Sequence, residues 1–247
     1  MIIGCDNRAT SRRRAVHIKR SLFNLGVLLL FAVGATTASA DIVISNRQPL
    51  IDFGSVGMDF KVYSRFFVVN TGTAPVRVKS INVPCSCSSV ALADSLIRAG
   101  ESTMVRLTFD TKNLYGKTIR SFTINTSDLH TPVVEYAYHS LVGQWPFGFK
   151  PDPNSLIFLP SVKEKRVSIP NNAFESVNVR FLDQADTSYT VAVQNEKIVK
   201  GGKADIVVSV HDRVKAGTYL SSFRVLIEPA GGAQPFVLTI PIRIVRY

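Results

Sequence analysis

Apolar residues recur at every second position along much of the chain. In Ser102 to Asp110, Val105, Leu107 and Phe109 point one way while Met104, Arg106 and Thr108 point the other. The same alternation runs through Phe60, Val62, Phe66 and Val68, through Val177, Val179 and Phe181, and through Ile206, Val208 and Val210. In the last segment Phe236, Leu238, Ile240, Ile242 and Ile244 share a face. Successive side chains of a strand point to opposite sides, so this period predicts strands with one buried side each. Beyond the first forty residues, no stretch of ten or more shows helical spacing. Asn-Thr-Gly, Asn-Asn, Ala-Gly and Ala-Gly-Gly turn signals separate the strands. Short strands joined this way suit antiparallel sheets stacked in a sandwich rather than a parallel sheet covered by helices. The expected class is all-β.

The chain also repeats itself in order. Gly100 opens a strand, Gly116 follows a turn and Phe122-Thr123-Ile124 begins the next strand; Gly202, Gly217 and Phe223-Arg224-Val225 play the same parts later. Each copy starts alike, at Ile51 to Val56 and at Leu156 to Val162, and each ends in a proline-marked strand, from Pro132 and from Pro235. This predicts two tandem immunoglobulin-like sandwiches of about 100 residues each, 41–144 and 145–247. Trp145, Pro146, Gly148, Pro151 and Pro153 mark the boundary, where prolines stiffen a short connector. Trp145, Phe147 and Phe149 are expected to pack at the junction of the domains, because exposed aromatic clusters are uncommon on soluble proteins.

Residues 1–40 read as a cleaved export signal. Arg12, Arg13, Arg14, Lys19 and Arg20 precede an apolar run from Leu22 to Ala35 and the small triplet Ala38-Ser39-Ala40. The run falls short of the roughly 20 residues needed to cross a bilayer, so no membrane span is expected in the mature chain. Cys5 lies before the run, where it offers no site for lipid attachment. Arg12-Arg13 has the form of a twin-arginine signal, but Arg14-Ala15-Val16 lacks the apolar pair that usually follows, which favours an ordinary basic leader. The expected location is periplasmic or extracellular. The formal charge of +11 includes six leader cations (Arg8 and the five above) and Asp6, so the remainder carries 11 − 5 = +6. With no basic run of five or more in that remainder, nucleic acid is not expected as a partner.

Two cysteines remain, in Pro84-Cys85-Ser86-Cys87-Ser88. In an extended segment their Cα atoms stand about 6.6 Å apart, near the upper limit for a disulfide, so a bridge there needs a bend or carries strain. Three readings stay open: a structural pair, bridged or buried as thiols, which an oxidising compartment favours; a redox-active pair; and a Cu(I) or other soft-metal site with Cys85 and Cys87 as ligands. His130, His139 and His211 are not spaced as a ligand pair. Catalytic signatures are absent: no Gly-x-Ser-x-Gly, no His-Glu-x-x-His and no phosphate-binding glycine loop. His211 before Asp212 reads as a solvated turn, and Asp110 and Asp128 as turn-closing residues at strand ends. The chain is therefore expected to be no enzyme and to need no cofactor.

Phe53-Gly54-Ser55-Val56, Asn70-Thr71-Gly72, Cys85-Ser86-Cys87-Ser88, Ala99-Gly100-Glu101-Ser102, Phe109-Asp110 and Gly116, in that order, resemble the bacterial domain-of-unknown-function family 1573 over about residues 47 to 143. The family usually shows Cys-Gly-Cys-Thr, from which Ser86 and Ser88 depart. The resemblance implies an exported immunoglobulin-like sandwich akin to Hydin-type and major-sperm-protein-like domains, with no assigned activity. Three functions follow. The first is an envelope or extracellular interaction protein that holds another protein or a polymer by its sheet edges and loops. The second is a copper or thiol-redox protein working through Cys85 and Cys87. The third is a pilus-type periplasmic chaperone, for which Arg106 and Lys150 stand as candidates for a basic pair in the cleft.

Overall fold

The strands form where the period of two placed them. In the computed structural model, described for residues 42–44 and 50–247, no α-helix occurs among the described residues. The proposed leader, residues 1–40, lies outside them. The first half holds β1 (Ile42–Ile44), β2 (Leu50–Val56), β3 (Lys61–Asn70), β4 (Val76–Asn82), β5 (Ser88–Leu92), β6 (Leu96–Ile97), β7 (Ser102–Asp110), β8 (Gly116–Thr126) and β9 (Val133–Val142). After a turn at Pro146–Gly148 come β10 (Leu156–Phe158), β11 (Glu164–Pro170), β12 (Ser176–Gln184), β13 (Tyr189–Val193), β14 (Lys197–Val199), β15 (Lys203–Val210), β16 (Gly217–Pro229) and β17 (Phe236–Arg246).

Two buried apolar clusters fill the spaces between sheets. The first, built on Phe53, Phe66, Phe109, Phe122, Tyr136 and Tyr138, lies between the sheet β1-β3-β7-β5 and one end of a large sheet. The second, built on Phe149, Phe158, Tyr189, Phe223 and the isoleucines of β17, lies between β11-β15-β13 and the other end. The large sheet is continuous, in the order β14-β12-β16-β17-β2-β9-β8-β4-β6, with β10 also on β17. One hydrogen-bonded layer therefore backs both clusters.

Two details depart from the alternation. Phe181 is exposed rather than buried, at the position where the regular register of β12 on β16 ends in a bulge between Phe181 and Asp183. Phe60 stands just before β3 rather than in it. The repeat is sharper than its sequence. Asn70 and Asn171, Ile97 and Ile198, Gly100 and Gly201, Gly116 and Gly217, and Phe122 and Phe223 are all 101 residues apart. The buried Asn70 donates to the Ile97 carbonyl (3.0 Å) and takes Gly100 N–H on its own carbonyl (2.8 Å); Asn171 does the same with Ile198 (3.2 Å) and Gly201 (2.7 Å). The counterpart of Gly100 is thus Gly201, with φ of 80° against 75°, and not Gly202 as the strand pattern had it.

The halves meet along a seam beside β17. Leu238 pairs in parallel with Ser55 of β2. Ser222 Oγ accepts Tyr63 N–H (2.9 Å) and donates to Tyr63 O (2.7 Å). Thr239 Oγ1 donates to Phe53 O. Arg224, held by the Asp183 carboxylate, donates to Asp52 O. Arg106 reaches Leu220 O (2.7 Å) while lying 4.7 Å over the Tyr63 ring. The seam needs a glycine: Gly54 has φ of 59°, and a Cβ there would overlap the Val237 carbonyl. Gly54→Ala should therefore cost about 2–4 kcal/mol, as backbone strain and overpacking combine. Gly116, also at positive φ but with open space around its missing Cβ, should cost only about 1–2 kcal/mol on the same change. Urea unfolding of the two variants checks the difference, and equal losses would contradict the seam.

Candidate functional site

The cysteine loop sits where the chain leaves β4, in the large sheet, and crosses to β5, in the facing one. Cys85 and Cys87 are bridged, with Cα atoms 5.2 Å apart, so the segment bends rather than runs extended. Cys87 N–H points to Cys85 Sγ (3.2 Å), Ser88 N–H donates to Cys85 O (3.2 Å), and Cys87 O accepts Asp110 N–H (2.8 Å). The same crossing recurs 101 residues on, where Asp186 and Ser188 stand in place of Cys85 and Cys87. Ser188 N–H donates to Asp186 Oδ1 (2.6 Å), and Ser188 O accepts His211 N–H (2.9 Å) as Cys87 O accepts Asp110. The disulfide thus does covalently what an aspartate-closed turn does in the second copy.

Beyond the bridge, Ser88 Oγ hydrogen-bonds Tyr138 OH, whose ring packs against Phe53 and Phe109. Burial raises the Tyr138 phenol above its usual range, with the Ser88 bond and the Arg120 charge pulling the other way. Tyr136, deeper in the same core and stacked on Phe122, is raised by burial alone, and its hydroxyl has no partner among the described residues. In the bridged state neither cysteine sulfur is a thiolate, the form that ligates a metal or attacks a disulfide. Among the described residues no three His, Cys, Asp or Glu side chains converge on one point.

The remaining candidates are dispersed. Asp110 Oδ1 accepts Lys112 N–H (3.0 Å) and Asp128 Oδ1 accepts His130 N–H (2.9 Å), each closing a turn. His211 lies at the end of β15, and the neighbouring Asp212 pairs with Lys163 (2.7 Å), which lowers that carboxyl. Phe149 is fully buried in the second core and Trp145 packs against it. Phe147, exposed and at φ of 52°, rests edge-on against Phe174 (4.8 Å). Arg106 is engaged at the seam, and Lys150 is exposed on the connector.

A cavity of about 250 Å³ opens on the seam, walled by Leu141, Pro146, Phe236 and Val237 and rimmed by Lys117, Asp52 and His139. His139 Nε2 stands 2.8 Å from Asp52 Oδ1, which also accepts Gly54 N–H (2.5 Å). None of this pairing was visible in the sequence, because Asp52 and His139 lie on strands joined only through parallel pairing. No helix among the described residues is long and apolar enough to cross a membrane.

The family described as "Protein of unknown function (DUF1573)" matches residues 44–136, which bears out the resemblance. No curated protein matches the chain. Among solved structures, a protein of unknown function from Porphyromonas gingivalis W83 is 13% identical over 81% of this chain and 98% of its own, with a TM-score of 0.33. SSP-19, an MSP-domain protein of Caenorhabditis elegans, is 14% identical over 39% and 98%, at 0.33. The Pseudomonas aeruginosa CupB2 chaperone is 10% identical over 80% and 98%, at 0.31. Likeness at this level carries no statement about function.

If the bridge is a turn, its sulfur is replaceable. Cys85→Ala with Cys87→Ala should lose about 1–2 kcal/mol, the closure entropy of so small a ring. Cys85→Asp with Cys87→Ser, which installs the turn of the second copy, should recover about 1 kcal/mol of that. Chemical denaturation measures both, and identical stabilities for the two double variants would contradict the equivalence.

Proposed function

We propose that this chain, which carries a DUF1573 segment at residues 44–136, is an exported, non-catalytic interaction protein of the bacterial envelope. In this reading a leader (1–40) precedes two tandem immunoglobulin-like sandwiches (41–144 and 145–247), and the mature protein holds a protein or polymer partner through its sheet edges and loops. The observation that carries it is a pair of open edge strands. Among the described residues, β5 and β13 each pair on one side only, with β7 and β15, and neither contains a charged residue.

The hydrogen-bond alternation fixes which groups are offered. Gln194 N–H donates to Asp205 O and His211 N–H to Ser188 O, so Ser188, Ala192 and Gln194 face β15 and the backbone of Val191 and Val193 faces outward. By the same count Val90 and Leu92 of β5 face outward, since Cys87 and Ala93 bond to β7. Val90, Leu92, Val191 and Val193 are only partly buried against the cores, so an added strand would gain backbone bonds and apolar cover together. By contrast β11 is blunted by Glu164, Lys165 and Arg166 and is bridged at Ser168 by Asp152.

Val191→Pro and Val90→Pro each remove one outward N–H without touching the inner ladder. Mature protein used to capture partners from envelope extracts should retain one that the Val191→Pro, Val90→Pro double variant holds at least about tenfold less well. The Cys85→Ser, Cys87→Ser variant should keep it. Capture that ignores the edge prolines, or that depends on the cysteines, would reject this reading, the second outcome favouring thiol or metal chemistry.

A further inference from the structure

Corresponding positions of the two repeats have opposite fates on the outer face of the large sheet. In the second repeat Ser222, Arg224, Val237 and Thr239 are buried, because β2 and β3 of the first repeat lie on them. Ser121 and Thr123 are the counterparts of Ser222 and Arg224, 101 residues earlier. Ser121 pairs with Ala137 as Ser222 pairs with Pro241, so Val133 and Glu135 stand where Val237 and Thr239 do. Val133 is 52% exposed, whereas Val237 is 7% exposed.

This face of the first repeat continues across β2, β9 and β8. Leu50 pairs with Ala137, and His139 pairs with Ile119, so Leu50 (41% exposed), Ile119 (56%), Val133 and Ala137 lie on one surface. Large apolar side chains this exposed, grouped on a sheet face whose equivalent is buried in the same molecule, mark an interface.

We propose that two copies of the chain pair through this face, stacked sheet on sheet about a twofold axis near Ala137. Charge placement argues for a second copy. Glu135 and His139 flank Ala137 at equal spacing on β9, so two β9 strands crossing antiparallel over Ala137 set each Glu135 opposite the other copy's His139. His139 donates Nε2–H to Asp52, and in its imidazolium form the Nδ1–H is left to donate to that Glu135. His139 then stands between its own Asp52 and the other copy's Glu135, as a shared cation for the two carboxylates.

The alternative of chains adding head to tail by repeating the seam is closed by sterics. The residue after Phe53 is Gly54, at a position where a side chain strikes the Val237 carbonyl, whereas the residue after Phe158, the counterpart of Phe53 in β10, is Leu159. The second repeat cannot sit on this face as the first repeat sits on the seam.

Strands of 7, 10 and 11 residues, about 4.8 Å apart, present roughly 450 Å² per protomer, about 900 Å² in all. That is the size of a weak, transient interface, for which a dissociation constant on the order of 10 µM is expected.

Sedimentation equilibrium of the mature chain across about 1–200 µM tests the proposal. Wild type should pass from monomer to dimer, and Ala137→Arg, which sets two cations against each other at the axis, should stay monomeric. Ile119→Lys, exposed on the neighbouring strand, should weaken the dimer at least about tenfold; circular dichroism and thermal unfolding like wild type show that the variants fold. A wild type that remains monomeric throughout, or variants that dimerise as wild type does, would overturn it. A monomer that still captures its partner through β5 and β13 would refute the dimer alone and leave the proposed function standing.

Discussion

The architecture turns on how the second half of the chain holds the backbone of the first. Ser222, Thr239 and Arg224 reach across the seam to the peptide groups of Tyr63, Phe53 and Asp52, and Gly54 lets β2 come close enough to β17 for Leu238 and Ser55 to pair. A peptide group buried between two layers must find a partner or incur its full desolvation cost. Here side chains of the second half satisfy peptide groups of the first, so sliding the halves apart exposes unmatched groups on both. Arg224 makes the seam directional, since Asp183 orients its guanidinium toward Asp52.

A shared sheet has consequences for everything attached to it. The cavity rimmed by His139 and Asp52 exists because two curved surfaces meet there, and its walls come from both sides of the seam. The open edges β5 and β13 belong to separate small sheets, yet each is anchored through its core to the same large layer. The disulfide fits this picture as a fixture of one edge. It bends the chain between layers where Asp186 and Ser188 do so by hydrogen bonding in the second repeat.

Much of the fold could be read from the period of two, since Val105, Leu107 and Phe109, or Ile206, Val208 and Val210, are buried as their spacing demands. The repeat was legible through Gly116, Phe122 and their counterparts, but its register at Gly201 emerged only with the matching bonds of Asn70 and Asn171. Phe181 could not be read, because a bulge leaves no mark in the alternation. The seam was hidden for a different reason. Ser222, Arg224 and Thr239 occupy the positions that a solvent-facing side fills with polar residues, and only the first half of the chain, lying against them, reveals that they are buried. The cysteines were conspicuous in sequence, whereas Asp52 and His139, from strands joined by parallel pairing, were not.

The two halves of the chain are fixed along this seam rather than linked by a flexible connector. Amide hydrogen exchange at Tyr63 tests it most directly, because its N–H is held by Ser222 Oγ, a group from the other half of the chain. The account predicts protection at Tyr63 equal to that of the buried amides of β16 and β17. Exchange at Tyr63 as fast as in the exposed turns, with the strand amides on either side still protected, would contradict it.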